Sequence, residues 1–290
     1  MSEKQSSASA AGVALLRAVE AEKPEAERIC YDPFAHSMIP GGLSFKLSKW
    51  MITSGLYEKM APGATSFIVL RERFIDDFLK NELETDFDQV VILGAGFDTR
   101  AYRTVGIEKT RVFEVDDPAT QRVKLERLKK VIDPIPSFVN LVPVDFNTES
   151  LYDVLRTNGY SEKGKTVFIW QGVTYFLKLE EVDNTLDFIA HHSSKGSVLI
   201  FDYFYTSTVH DSTRKDVQML RRAAKISGEE YLFGIDEGQI EHFLAKKGFN
   251  EVHDFTFEDL KRLYFKGSNT KRVVPTGMGI VSCQVNKPIT

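Results

Sequence analysis

The chain has 290 residues, of which 42% are apolar, 27% charged and 11% aromatic, and it carries a formal charge of −4. That is the composition of a folded globular protein, and it excludes disordered and fibrous classes. The acidic balance argues against binding a phosphate backbone, so no nucleic-acid partner is expected, although a local field of opposite sign leaves an anionic substrate open. The length admits one large α/β domain or two small ones.

In chain order, the Ser/Ala-rich first ten residues are expected to fray, and a helix is expected from about Ala11 to Ala21, ending before Pro24. Tyr31-Asp32-Pro33-Phe34 reads as a turn. From Ser66 to Asn81 the residues Phe67, Leu70, Phe74 and Phe78 recur at helical spacing, with Arg71, Arg73, Asp76 and Asp77 between them. Short apolar runs follow at Val90–Leu93, Val112–Val115, Val139–Val144, Val167–Trp170 and Val198–Phe201, which predict buried strands. Helices are predicted between them at Pro118–Val131, Thr148–Asn158 and Leu179–His191. Beyond Tyr203 a polar stretch from Thr206 leads into a helical region, and a helix from Asp236 to Lys247 is closed by Gly248. Strand-like runs at Glu251–Phe257 and Gly279–Val285 could pair antiparallel around a basic insertion from Asp259 to Thr276.

The alternation implies a mostly parallel sheet of seven strands with helices on both faces. The expected organisation is one domain, with an N-terminal helical cover over residues 1–85, a binding core over 86–205, and a lid, insertion and final strand pair over 206–290. Two isolated cysteines, Cys30 and Cys283, offer neither metal-ligand nor redox spacing. No apolar run approaches a membrane span and no secretory core follows the polar start, so no membrane partner is expected and the cytoplasm is the expected location.

Ligands of such sheets bind beyond the carboxyl ends of the strands. The first strand ends in Gly94-Ala95-Gly96-Phe97-Asp98-Thr99-Arg100, and Asp116 follows about 20 residues on, where a carboxylate would take a ribose diol. Gly-x-Gly alone is a weak signal, compatible with an ordinary tight turn, a dinucleotide or S-adenosylmethionine. Thr99 occupies the third fingerprint position, and a carboxylate at Asp98 would repel a pyrophosphate but favour a sulfonium and an ammonium. Asp98 would otherwise pair with Arg100 or Arg103. Asp117 is counted with the cofactor-side residues, although the next helix N-terminus also suits its charge. Asp145-Phe146 fits an adenine contact, with a helix cap as the alternative.

Val90 to Arg103, Glu114-Val115-Asp116-Asp117-Pro118, Val142 to Phe146 and Gln171-Gly172-Val173-Thr174-Tyr175-Phe176-Leu177 resemble successive motifs of the leucine carboxyl methyltransferase-like family, as do Val13–Glu20 and Asp32–Ala35. The resemblance runs to about residue 205. It implies a Rossmann-like class I methyltransferase fold, S-adenosylmethionine as cofactor with S-adenosylhomocysteine as product, and O-methylation of a small-molecule or peptide acceptor. Carried over, it makes Arg73 the partner of the cofactor carboxylate, Gly94 and Gly96 the backbone approach, Asp116 the ribose ligand, and Asp145 with Phe146 the adenine contact. Gln171 departs from the pattern, since the family usually has Glu there; an amide keeps hydrogen bonding but loses the charge. Tyr175 and His210 are candidates for facing the acceptor. His191, His192 and His36 are expected at the surface. No metal is expected, because Asp202 has no carboxylate partner at position 171. The competing readings are a noncatalytic binding protein on the same fold and an NAD(P)-dependent oxidoreductase.

Overall fold

In a computed structural model, residues 3–146, 148–211, 213, 217–218 and 228–286 are described. Seven strands form one sheet: β1 (Gln89–Leu93), β2 (Arg111–Asp116), β3 (Val139–Pro143), β4 (Thr166–Trp170), β5 (Val198–Phe204), β6 (Phe249–Thr256) and β7 (Met278–Val285). Their order is β3-β2-β1-β4-β5-β7-β6. Parallel pairing joins β1 to β5, whereas β7 lies antiparallel between β5 and β6. The sheet is therefore mixed rather than mostly parallel. The cause is the late strand pair: β7 returns along β5 and takes the central place, leaving β6 at the edge.

Pleating sends alternate residues of β1 to opposite faces. Val90 and Ile92 join one apolar layer with Ile75 and Leu79, while Val91 and Leu93 join the other with Leu186 and Ile189. The first layer is supplied by helix α4 (Ala64–Glu82), the second by α7 (Leu151–Thr157) and α8 (Leu179–His191). These elements follow the expected spacing closely.

The N-terminus departs from it. Helix α1 runs from Glu3 to Ala21, so the Ser/Ala-rich start is helical rather than frayed. Ala is the strongest helix former, and Ala11 and Ala14 pack with Met38 and Phe97. The irregular pattern of the segment Gly41–Thr65 predicts a lid without regular elements, but the segment folds into α2 (Leu43–Thr53) and α3 (Leu56–Met60). Of the stretch from Thr206 to Gly234, expected as a lid, residues 212, 214–216 and 219–227 lie outside the described residues.

A buried charge cluster binds α1 and α4 to the turn after β1 and the short helix α5 (Arg100–Arg103) that follows it. Glu72 Oε1 receives Arg103 at 2.9 Å, Arg100 at 3.1 Å and Arg17 at 3.4 Å. Arg100 also reaches Asp76 at 2.7 Å and pairs with Asp98; Arg17 reaches Asp32 at 3.3 Å. Burial opposes ionisation of Glu72, but Arg100, Arg17 and Arg103 outweigh it and hold its carboxyl well below the usual carboxylate range. Removing one guanidinium would strand buried carboxylates. Arg100→Met is therefore expected to cost about 3–5 kcal/mol of stability at neutral pH, measured by urea unfolding; a change under about 1 kcal/mol would mean that the cluster is not held by charge.

Candidate functional site

Beyond the strand ends, where the order reverses between β1 and β4, lies a cleft of about 1810 Å³. It is bounded by the ends of β1, β2 and β4, and α1, α2 and α3 cover it through Gly12, Met51 and Tyr57.

The turn after β1 needs its glycines. Gly94 has φ +63° and a Cβ there would collide with Val173, so only glycine allows this approach of chain to chain. Gly96 donates its N–H to Asp116 Oδ2, and Asp117 donates its own to Asp116 Oδ1 at 2.7 Å. Burial pushes the Asp116 carboxyl up to about 7, against the two N–H groups that favour its charge. Ala95 lines the cleft beside it and donates its N–H to Val115.

Several expected contacts are used elsewhere. Asp98 is on the cleft wall, but its carboxylate accepts from the side chain and backbone N–H of Arg100. It is a structural anion rather than a free one, so the charge argument built on it against a pyrophosphate falls away. Asp117 caps helix α6 (Pro118–Leu128), accepting from Ala119 N at 3.0 Å and Thr120 N at 2.9 Å. Asp145 lines the cleft and accepts from Thr148 at 3.0 Å, while the neighbouring Phe146 is 56% exposed along the same wall.

Arg73 is outside the cleft. Its side chain is 45% exposed and donates to Asp77 at 2.8 Å. Arg71, read as one of the polar residues between the apolar ones, lines the cleft instead, buried and paired with Asp202 at 2.6 Å. Two residues along a helix subtend about 200°, so the two arginines point to opposite faces. The signal available in the sequence was Asp202, an acidic residue on an apolar strand that requires a buried cation.

Tyr175 is buried and its hydroxyl accepts from Arg71 at 3.0 Å. Its ring stacks on Phe204 at 4.1 Å and meets Tyr231 edge-on, forming with Phe67 and Phe176 an aromatic wall of the cleft. Burial, then the Asp202 charge, raises its phenol well above the ordinary value, so it stays protonated. His210 is exposed and does not line the cleft, because α9 (Thr206–His210) turns its end to solvent. His191 and His192 do reach the cleft, engaged with Asp187 O and Glu162. Gln171 donates Nε2 to Glu72 Oε2 at 3.0 Å, and its Oε1 is buried without a partner. Among the described residues no cluster of acidic, His or Cys side chains could hold a metal, and no helix is long and apolar enough to cross a membrane.

The sequence model described as leucine carboxyl methyltransferase matches residues 10–190. YktD of Bacillus subtilis, named as an S-adenosyl-L-methionine-dependent methyltransferase, is 34% identical over 203 residues, 69% of this chain and 66% of that one. A Streptomyces coelicolor protein of the same description is 32% identical over 190 residues, 66% of each chain. The match thus spans about two thirds of the length of these relatives, as their 66% shares give. Among solved structures, the CurJ carbon methyltransferase superposes with a TM-score of 0.50 at 12% identity, covering 86% of this chain and 72% of that one. The fold is a Rossmann-like class I methyltransferase fold with a mixed sheet. The chain belongs to the leucine carboxyl methyltransferase family.

With burial pushing the Asp116 carboxyl up to about 7, the charged form, which a pair of ligand hydroxyls would need, grows as the pH rises through that value. Adenosine-type ligands should bind about tenfold more tightly at pH 8 than at pH 6 and then level off, as followed by calorimetry. Asp116→Asn should flatten the profile; a flat profile in the unaltered protein would contradict the assignment.

Proposed function

We propose that the chain is an S-adenosylmethionine-dependent methyltransferase that acts on oxygen, at a carboxyl or hydroxyl group of a small molecule or peptide. The observation that carries the reading is the pair of polar groups left available at the strand ends: Asp116 at the tip of β2 and the unpartnered Gln171 Oε1 after β4. A carboxylate and a free acceptor suit a ribose diol and an ammonium. Family membership supports the same cofactor.

When bound, the cofactor supplies an electrophilic methyl group on a sulfonium. Asp116 would accept from the ribose hydroxyls, with Gly94 and Gly96 allowing the close approach. Arg71, already charged against Asp202, would receive the cofactor carboxylate. Asp145 and Phe146, which line the cleft, would meet the adenine. The aromatic wall of Tyr175, Phe176 and Tyr231 would exclude water and orient an acceptor with an apolar body, and alignment at near-attack distance supplies much of the acceleration. Tyr175, held protonated, acts as a donor to the acceptor and not as a base. A carboxylate acceptor is already nucleophilic near neutral pH and needs no base, which agrees with the engagement of His191 and His192 elsewhere. One continuous sheet from Gln89 to Val285 supports reading the whole chain as a single domain.

Calorimetry with S-adenosylhomocysteine and NAD(P) tests the reading: binding of the former alone is expected, and binding of the dinucleotide alone would overturn it. Arg71→Met should weaken S-adenosylhomocysteine binding by about tenfold or more, as loss of a charged hydrogen bond does, whereas Arg73→Met should leave it unchanged. The reverse pattern would restore Arg73 to the site.

A further inference from the structure

Glu72 was not singled out by any motif, yet it is fully buried on α4 directly behind the cleft. Its two carboxylate oxygens are used differently. Oε1 receives all three arginines, Arg17, Arg100 and Arg103, and Oε2 receives Gln171. The amide therefore has a fixed orientation. A carboxylate at this depressed pKa has no proton to donate, so only the amide N–H₂ can face it, and Oε1 must point the other way. That oxygen is the one without a partner, on a residue that lines the cleft.

The cluster also has a sign. Asp32, Glu72, Asp76 and Asp98 are met by Arg17, Arg100 and Arg103, which leaves one formal negative charge behind the Gln171 amide. A glutamate at position 171 would put a second carboxylate in contact with Glu72, and the nearby Arg71 is already paired with Asp202. Glutamine here and a buried glutamate beneath it satisfy the same requirement: one negative charge, at one remove from the ligand.

We infer that Glu72 is a positioning residue for the cofactor's α-ammonium, supplying through the Gln171 amide the charge that the family carries at position 171. This rests on the function proposed above. The Glu72–Gln171 pair presents a polarised acceptor oxygen to the ammonium and forbids the flipped amide, whose N–H₂ would repel it.

The test compares two probes by calorimetry: S-adenosylhomocysteine, which carries the amino acid, and 5′-methylthioadenosine, which lacks it. Glu72→Gln should weaken S-adenosylhomocysteine about tenfold more than it weakens methylthioadenosine, the worth of a charge-assisted hydrogen bond. Gln171→Leu, which keeps the charge cluster intact, should lose the same selectivity. The double variant Glu72→Gln/Gln171→Glu, which moves the charge to the ligand side, should recover it. The inference is overturned if Gln171→Leu keeps the preference, if Glu72→Gln weakens both probes equally, as a purely structural role would, or if the double variant shows no recovery. Failure of the unaltered protein to bind either probe would instead overturn the proposed function.

Discussion

The buried ion cluster around Glu72 is the constraint on which the site depends. Charges this deeply buried persist only when each has a partner, and here the partners come from four places: Arg17 of α1, Glu72 and Asp76 of α4, Arg100 and Arg103 after the β1 turn, and Asp32 between α1 and α2. One arrangement of charge therefore fixes three distances at once. It sets α1 over the cleft, holds α4 against the sheet, and shapes the turn in which Gly94 and Gly96 approach the strand ends. Arg17 adds a bond to Phe97 O at 2.5 Å, tying the cover to the turn.

A second buried set extends the same logic across the cleft. Asp202 of β5 accepts from Arg71 at 2.6 Å and from the Gly172 N–H at 2.6 Å, so the loop after β4 is anchored from behind by the next strand. Tyr175, one short turn further, then takes its place beside Arg71 and against Phe204. The polar side of the cleft and its aromatic side thus share a wall, which is the division that a charged cofactor and an apolar acceptor would require.

The strands and the helices α4, α6, α7 and α8 were legible because their apolar spacing and turn residues agree with their burial. What was missed had a physical reason in each case. The start of α1 has a bland composition that reads as a frayed end until Ala11 and Ala14 are seen to pack. The direction of β7 depends on a tertiary choice between edge and centre that periodicity does not encode. Arg71 and Arg73 are equally polar, and only the helix face, set by Asp202, distinguishes them. For Asp98 the sequence leaves open a ligand contact or an arginine partner, and its neighbour Arg100 takes both its oxygens. Asp116 and Gln171 carried the most information, one by its distance from the glycine turn and the other by departing from the family pattern, while Glu72, which explains Gln171, lies in no motif.

The most direct measurement is a crystal structure with S-adenosylhomocysteine bound. The account predicts both ribose hydroxyls on Asp116, the carboxylate on Arg71, and the ammonium on Gln171 Oε1 with Nε2 still donating to Glu72. A ligand whose amino-acid end lies away from Gln171 and Arg71, or whose ribose does not touch Asp116, would contradict it.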